Sequence, residues 1–273
     1  MSEQKKLFVV VDPSNETHVA LERVLIVATF MEVKPCIRVF VAVDTDATDT
    51  RETNDNLFRN QDWFAEQIRA PLEAAGLKYD IQLCWSTKWQ ESILQESRRF
   101  SANEIYLPVH RQAANSRFSF TQSKWDVIKG AYCPVVLVRP GAKEQRKIVL
   151  GAVNLQATTD VHKNINKLVL ERGKEVAENY GAEFHVVNAY RESINYPDRA
   201  KLIEMTGVES SNIHVDEGYT SDVVAKVAEK LNADLVVIGT LGQNGKTGTL
   251  VRGNTAERVI ADLKVDVMVY NAS

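Results

Sequence analysis

The feature that most constrains this chain is an alternation of strand-like and helix-like runs that passes twice through the same order. Such alternation builds parallel sheets covered by helices, because parallel neighbours need a crossover and a helix supplies it. Leu7-Phe-Val-Val-Val-Asp12 reads as a buried strand ending at a carboxylate, and Ile148-Val-Leu-Gly-Ala-Val-Asn154 as its counterpart ending at an amide. An amphipathic helix follows each. Leu21, Val24, Leu25 and Ala28 share a face in the first, and Ile165, Leu168, Val169, Val176, Ala177 and Tyr180 do so in the second. Second strands are expected at 37–43 and 184–189, and short third strands at 79–83 and 213–215. Ala102-Asn-Glu-Ile-Tyr-Leu107 then lies opposite Ala233-Asp-Leu-Val-Val-Ile238, and Cys133-Pro-Val-Val-Leu-Val138 opposite Val265-Asp-Val-Met-Val-Tyr270. A repeat of this length is a duplicated domain and not a solenoid.

The expected fold is therefore α/β, with two tandem doubly wound parallel-sheet domains over residues 1–142 and 143–273. Arg139-Pro-Gly-Ala-Lys-Glu-Gln-Arg-Lys147 combines a turn signal with charge and serves as the linker. It is short, so the copies are expected to pack as an intramolecular pseudo-dimer, with the final strands 133–138 and 265–270 paired to each other. A further homodimer stays open. The polar start and the brief apolar run Leu7–Val11 predict no export signal, and no segment reaches the length of a membrane helix. Cys36, Cys84 and Cys133 are odd in number and widely spaced, which fits a reducing cytoplasm and argues against a disulfide framework or zinc site. A net charge of −3 supplies no broad positive field, so nucleic acid is not expected as a partner.

Chemistry concentrates in one segment, Leu235-Val-Val-Ile-Gly239-Thr-Leu-Gly242-Gln-Asn-Gly245-Lys-Thr-Gly248-Thr-Leu-Val-Arg-Gly253-Asn254-Thr255. A buried strand runs into a glycine-rich loop, and the loop ends at a helix capped by Asn254 or Thr255, with Ala256, Val259, Ile260 and Leu263 on its apolar face. Main-chain N–H groups at a helix start bind anions, and glycines let the backbone approach phosphate oxygens without a Cβ in the way. A plain surface turn is the alternative reading of the same glycines. Gly245-Lys246-Thr247 is no P-loop, since Thr240 stands where that motif requires glycine.

On these residues the chain resembles the universal stress protein family, over essentially its whole length, and the tandem members most of all. Nucleotide-binding members carry G-x2-G-x9-G-[S/T] after the fourth strand. Here Gly239 and Gly242 match, Gly253 follows ten intervening residues later, and Asn254 replaces the hydroxyl residue. The resemblance implies a cytoplasmic stress-response protein that binds an adenine nucleotide, ATP with magnesium, in its C-terminal copy and does not turn it over. It also implies Asn154 and the backbone near Val187 for the nucleoside, and Gly239, Gly242, Gly253, Asn254 and Thr255 for the phosphates. An amide at position 154 retains both donors and an acceptor for a ribose or adenine group.

The first copy lacks this equipment. Pro108 stands opposite Gly239, and residues 109–120 contain no glycine. Asp12 is read chiefly as a turn or cap residue, and His110, Arg111 and Arg117 chiefly as a solvated loop. The five histidines show no metal spacing, and His185, inside a strand, reads as structural. Asp44 to Asp55 lacks the glycine and glutamate of a calcium loop. Two rival functions stay open: a ligand-sensing or interaction module that no longer binds nucleotide, and an ATP-using enzyme for which no catalytic residue is found.

Overall fold

The computed structural model describes residues 4–43, 61–109, 122–141, 143–241 and 255–271, which form two compact units. One comprises the described residues up to 109 together with 133–141, and the other comprises 122–132 with 143–271.

The first unit contains β1 (Lys6–Val11), α1 (Val19–Thr29) and β2 (Cys36–Val43). A helical stretch, α2, follows, built from Gln61–Trp63, a π-helical Phe64–Arg69 and Ala70–Ala74. Then come β3 (Lys78–Trp85), α3 (Trp89–Phe100), β4 (Glu104–Pro108) and β5 (Val135–Val138). The strands pair in parallel in the order β3-β2-β1-β4-β5. Between β4 and β5 in the chain lies α4 (Gln122–Gly130), which the repeat assigns to the first copy but which packs in the second unit. There the Asn271 side-chain amide donates to the carbonyls of Ile128 and, at 2.8 Å, Ala131, satisfying helix-end acceptors that have no partner within the helix.

The second unit repeats the order. It holds β6 (Ile148–Val153), α5 (Asp160–Tyr180), β7 (Glu183–Tyr190), α6 (Arg199–Thr206) and β8 (Ile213–Glu217). It continues with α7 (Thr220–Leu231), β9 (Leu235–Thr240), α8 (Thr255–Asp262) and β10 (Asp266–Asn271). Its parallel sheet runs β8-β7-β6-β9-β10. All ten strand-like runs of the sequence form strands, with ends shifted by a residue or two: β7 and β8 run on to Tyr190 and Glu217, while β4, β5 and β9 begin at Glu104, Val135 and Leu235.

The central strands β6 and β9 are almost wholly apolar because helices cover both faces. Leu235, Val236 and Val237 are fully buried, as are Val149 and Leu150. Helix α5 departs from the expected stripe. Its buried face is Asn166, Val169, Leu170, Gly173, Ala177 and Tyr180, while Leu168 and Val176 are only half-buried. Gly173 is there for room. A Cβ on it would lie inside the Phe184 ring, which also sits 2.9 Å from where a Cβ on Gly151 would stand. The start of the second unit is fastened by charge. Arg146 forms a 2.8 Å ion pair with Asp266, both almost wholly buried, and its guanidinium lies over the Tyr180 ring. Burial opposes the charge on Asp234, but Lys143 and the amides of Lys147 and Ile148 outweigh it and hold that carboxyl below its ordinary range.

Between β7 and β8 His185 Nδ1 lies 3.0 Å from His214 Nε2, the rings stacked 19° from parallel. Glu183 Oε2 is 3.3 Å from His185 Nε2 and accepts that N–H, so Nδ1 of His185 accepts from His214. Burial first, and then His185, lower the pKa of His214. Lys230 and Arg199 add to this, and Asp216 opposes it.

Two outcomes follow from this packing. Gly173→Ala gains about 1 kcal/mol of helix propensity, but the collision with Phe184 costs about 1–3 kcal/mol. The variant therefore unfolds at lower urea, and Phe184→Leu in the same chain recovers part of the loss. As for pH, His214 binds a proton more readily unfolded than folded, so stability is intact above its ordinary pKa of 6.5 and falls as pH drops from there through the lowered folded value. Urea midpoints at pH 7.5 and 5 decline less in His214→Gln, which keeps a donor to His185, than in the wild type.

Candidate functional site

In an open parallel sheet, ligands bind outside the carboxyl ends of the strands where the strand order reverses. In the second unit that point lies between β6 and β9. Their ladder lasts only three pairs, Val149↔Leu235 to Gly151↔Val237. Each strand then runs on beside its other neighbour, β6 with β7 to Asn188 and β9 with β10 to Thr240. The parting opens a crevice of about 510 Å³, within the range of roughly 300–1,000 Å³ common to small-molecule sites.

Its walls come from strand ends and helix starts. Asn154, exposed, follows β6; Ala189 and Tyr190 close β7; Gly239 and Thr240 close β9. His162, Thr220 and Thr255 stand in the first turns of α5, α7 and α8. Three helix N-termini thus face one crevice, each with the positive end of its dipole and amides unpaired within the helix. Arg191 adds a full positive charge, its guanidinium 4.7 Å from the centre of the Tyr219 ring. Among the described lining residues there is no carboxylate. Arg191 is the one side chain of fixed charge among the described lining residues, so their fixed charge is positive.

Two buried asparagines that the sequence reading passed over shape the floor. The Asn166 amide oxygen accepts from the Asn154 N–H at 3.0 Å, and its nitrogen donates to the Asn154 carbonyl. Asn188, fully buried in β7, accepts from the Leu155 N–H at 2.8 Å. The turn after β6 is held from inside the fold, and the Asn154 side chain is what it presents to the crevice. Gly218, at φ +148°, donates its N–H to the Tyr190 carbonyl and lets the chain turn into α7 where a side chain would be strained.

Of the residues singled out in the sequence, Asn154, Gly239 and Thr255 line the crevice together. Val187 is fully buried, paired with Ala152 on one side and His214 on the other, and the β7 contribution comes from Ala189 and Tyr190 beyond it. Gly242, Gly253 and Asn254 lie outside the described residues, as does Lys246. Gly239 also has a packing role, since a Cβ on it would collide with Ile165 Cγ2 of α5. The polar periodicity of a helix could have flagged Asn166, the one amide on an otherwise apolar face; no comparable signal marks Asn188.

The corresponding corner of the first unit is differently used. The Asp12 carboxylate accepts from the N–H and hydroxyl of Ser14 at 2.9 and 2.5 Å, a local turn. Pro108 and Val109 are buried, and the Val109 N–H donates to the Val138 carbonyl. His18 packs edge-on against the Trp63 ring.

The described residues contain no cluster of three or more potential metal ligands and no helix long and apolar enough to cross a membrane. Residues 198–271 match the model of the universal stress protein family. The chain is 26% identical over 302 residues to universal stress protein E of Escherichia coli K12, covering 98% of this chain and 94% of that one. It is 23% identical over 300 residues to the protein of the same name from Photorhabdus laumondii, covering 98% and 95%. The fold matches a crystal structure of a universal stress protein from Archaeoglobus fulgidus with a TM-score of 0.75, at 17% identity and over the full length of both chains. The family match on residues 198–271 and the similarity to universal stress protein E that runs through both repeats are thus what this chain shares with the universal stress proteins.

Proposed function

We propose that the second unit is a binding site for an adenine nucleotide, ATP in the first instance, serving stress response without turnover. The observation that carries this reading is the crevice at the β6/β9 parting, with three helix N-termini, Arg191 and no carboxylate among its described lining residues. Phosphate oxygens complement that set, since amides and guanidinium donate without a competing negative charge. The nucleoside is assigned to the side of Asn154, Ala189 and Tyr190, and the phosphates to Gly239, Thr255 and the loop containing Gly242, Gly253 and Asn254. The described lining offers magnesium no carboxylate, so any magnesium comes held by the phosphates and water. The two copies, residues 1–142 and 143–273, are read as an intramolecular pseudo-dimer from the short linker and the matched final strands in the sequence.

One observation favours a second reading, a module that senses another anionic ligand. The amides of Asn154 and Leu155 are already bonded to Asn166 and Asn188, so the turn after β6 keeps few main-chain donors for a ribose.

Calorimetric titration with ATP, alongside an assay for ADP and AMP release, separates these readings. Binding without release is expected. Gly242→Val weakens it on the order of a hundredfold or more by placing a branched side chain where the backbone must meet phosphate, and Arg191→Ala weakens it about tenfold. Unchanged ATP affinity in Gly242→Val removes the assignment of the phosphates to this loop.

A further inference from the structure

A second cavity of about 500 Å³ opens between α5 and α6 and shares only Asn166 with the crevice just described. Four lysines stand round it, Lys163, Lys167 and Lys174 from α5 and Lys201 from α6, against the single carboxylate of Glu171. In a chain whose net charge is −3, this is a concentrated positive site. The ion pairs that temper it are loose and solvated: Lys163 is 3.8 Å from the almost fully exposed Asp160, and Lys167 is 3.7 Å from Glu171. Lys174 reaches the Gly207 carbonyl, a neutral acceptor, at 3.4 Å.

Beneath the lysines the surface is apolar. Leu155, Ala157 and Leu170 line the cavity, and Met205 contributes a thioether side chain that is 46% exposed. Met is unbranched and adaptable, the side chain best suited to close over apolar guests of varied shape. Lysine stems extend such a surface while keeping their ammonium groups in water. An inorganic anion would satisfy the rim and leave the floor wet; a neutral hydrocarbon would fill the floor and ignore the rim.

We infer that this cavity binds an amphipathic anion, a molecule with an apolar body and one carboxylate or phosphate head, independently of the nucleotide crevice. The apolar body lies on Leu155, Leu170 and Met205, and the head meets the lysine rim.

The full-length chain, with its methionine methyls labelled for NMR, is titrated with decanoate, octanoate, decanol and inorganic phosphate. Decanoate is expected to move the Met205 methyl resonance and leave that of buried Met268 in place. It binds on the order of tenfold more tightly than octanoate, two methylenes shorter. It also binds at least about tenfold more tightly than decanol, and more weakly as salt rises. Lys167→Glu with Lys201→Glu, both on the surface, lowers decanoate affinity about tenfold or more while ATP titration is unchanged. Equal affinity for decanoate and decanol, a Met205 methyl that does not respond, or a charge-reversed variant that binds as the wild type does would overturn the proposal. Binding of phosphate alone as tight as decanoate would reduce the site to a bare anion patch and overturn it equally.

Discussion

Everything at the candidate site depends on β6 and β9 parting after three residue pairs. A parallel sheet must carry each strand's next connection over a face, so all strand ends and all helix starts fall on one edge. Where sequential winding continues outward in one direction, neighbouring connections crowd that edge and fill it. Between β6 and β9 the chain winds away in opposite directions, from β6 through α5 to β7 and from β9 to α8 and β10, and the ladder between them ends early. The crevice is a consequence of strand order, before any particular side chain is considered. The side chains set its charge: Arg191, Asn154 and three threonines stand there without a described carboxylate.

Such a gap would be of little use if the turn leading out of β6 were loose. Asn166 and Asn188 prevent that. Each is buried, each spends its amide oxygen on a main-chain N–H, and a buried amide left without partners costs about 1–3 kcal/mol. The two side chains and the turn therefore satisfy one another or none does. This coupling gives the floor of the crevice one geometry and makes Asn154 its projecting group. It also explains the rotation of the buried face of α5, for a stripe centred on Leu168 would turn Asn166 toward solvent and away from the turn it holds.

The architecture was legible because parallel strands buried on both faces are written as near-continuous apolar runs, and because the runs occur twice. Strand positions, their succession along the chain and the place of the glycine segment after the fourth strand all followed from that pattern. What the periodicity did not reveal is of another kind. Asn188 is polar inside an apolar strand, and its purpose exists only once β6 and β7 are adjacent. Gly173 reads in the sequence as a weak point of a helix, yet in the fold it is the space taken by the Phe184 ring, a partner eleven residues on and in another element. Helix α4 belongs by repeat to the first copy and packs in the second unit, a placement no local pattern encodes. Periodicity reports which face is buried, not what it is buried against.

The two copies diverge most instructively at one position. Val109 donates its N–H to Val138, on the β5 side of β4, and successive residues of a strand turn their backbone groups to opposite sides. The nitrogen of Pro108 therefore faces β1, beyond the last β1–β4 pair at Val9↔Tyr106. A proline is tolerated there because no ladder bond is lost, and by the same token the first copy has no main-chain donor to offer at that point. Gly239, opposite Pro108 in the repeat, keeps a main-chain N–H beyond the last β6–β9 pair at Gly151↔Val237, on the wall of the crevice. Its missing Cβ has a separate cause, the approach of Ile165 from α5. Helix packing thus demands glycine at this residue, whereas an available amide demands only that it not be proline. A substitution that merely restores packing by trimming Ile165 would keep the amide, while a proline would remove it, so the two demands are separable at this one position.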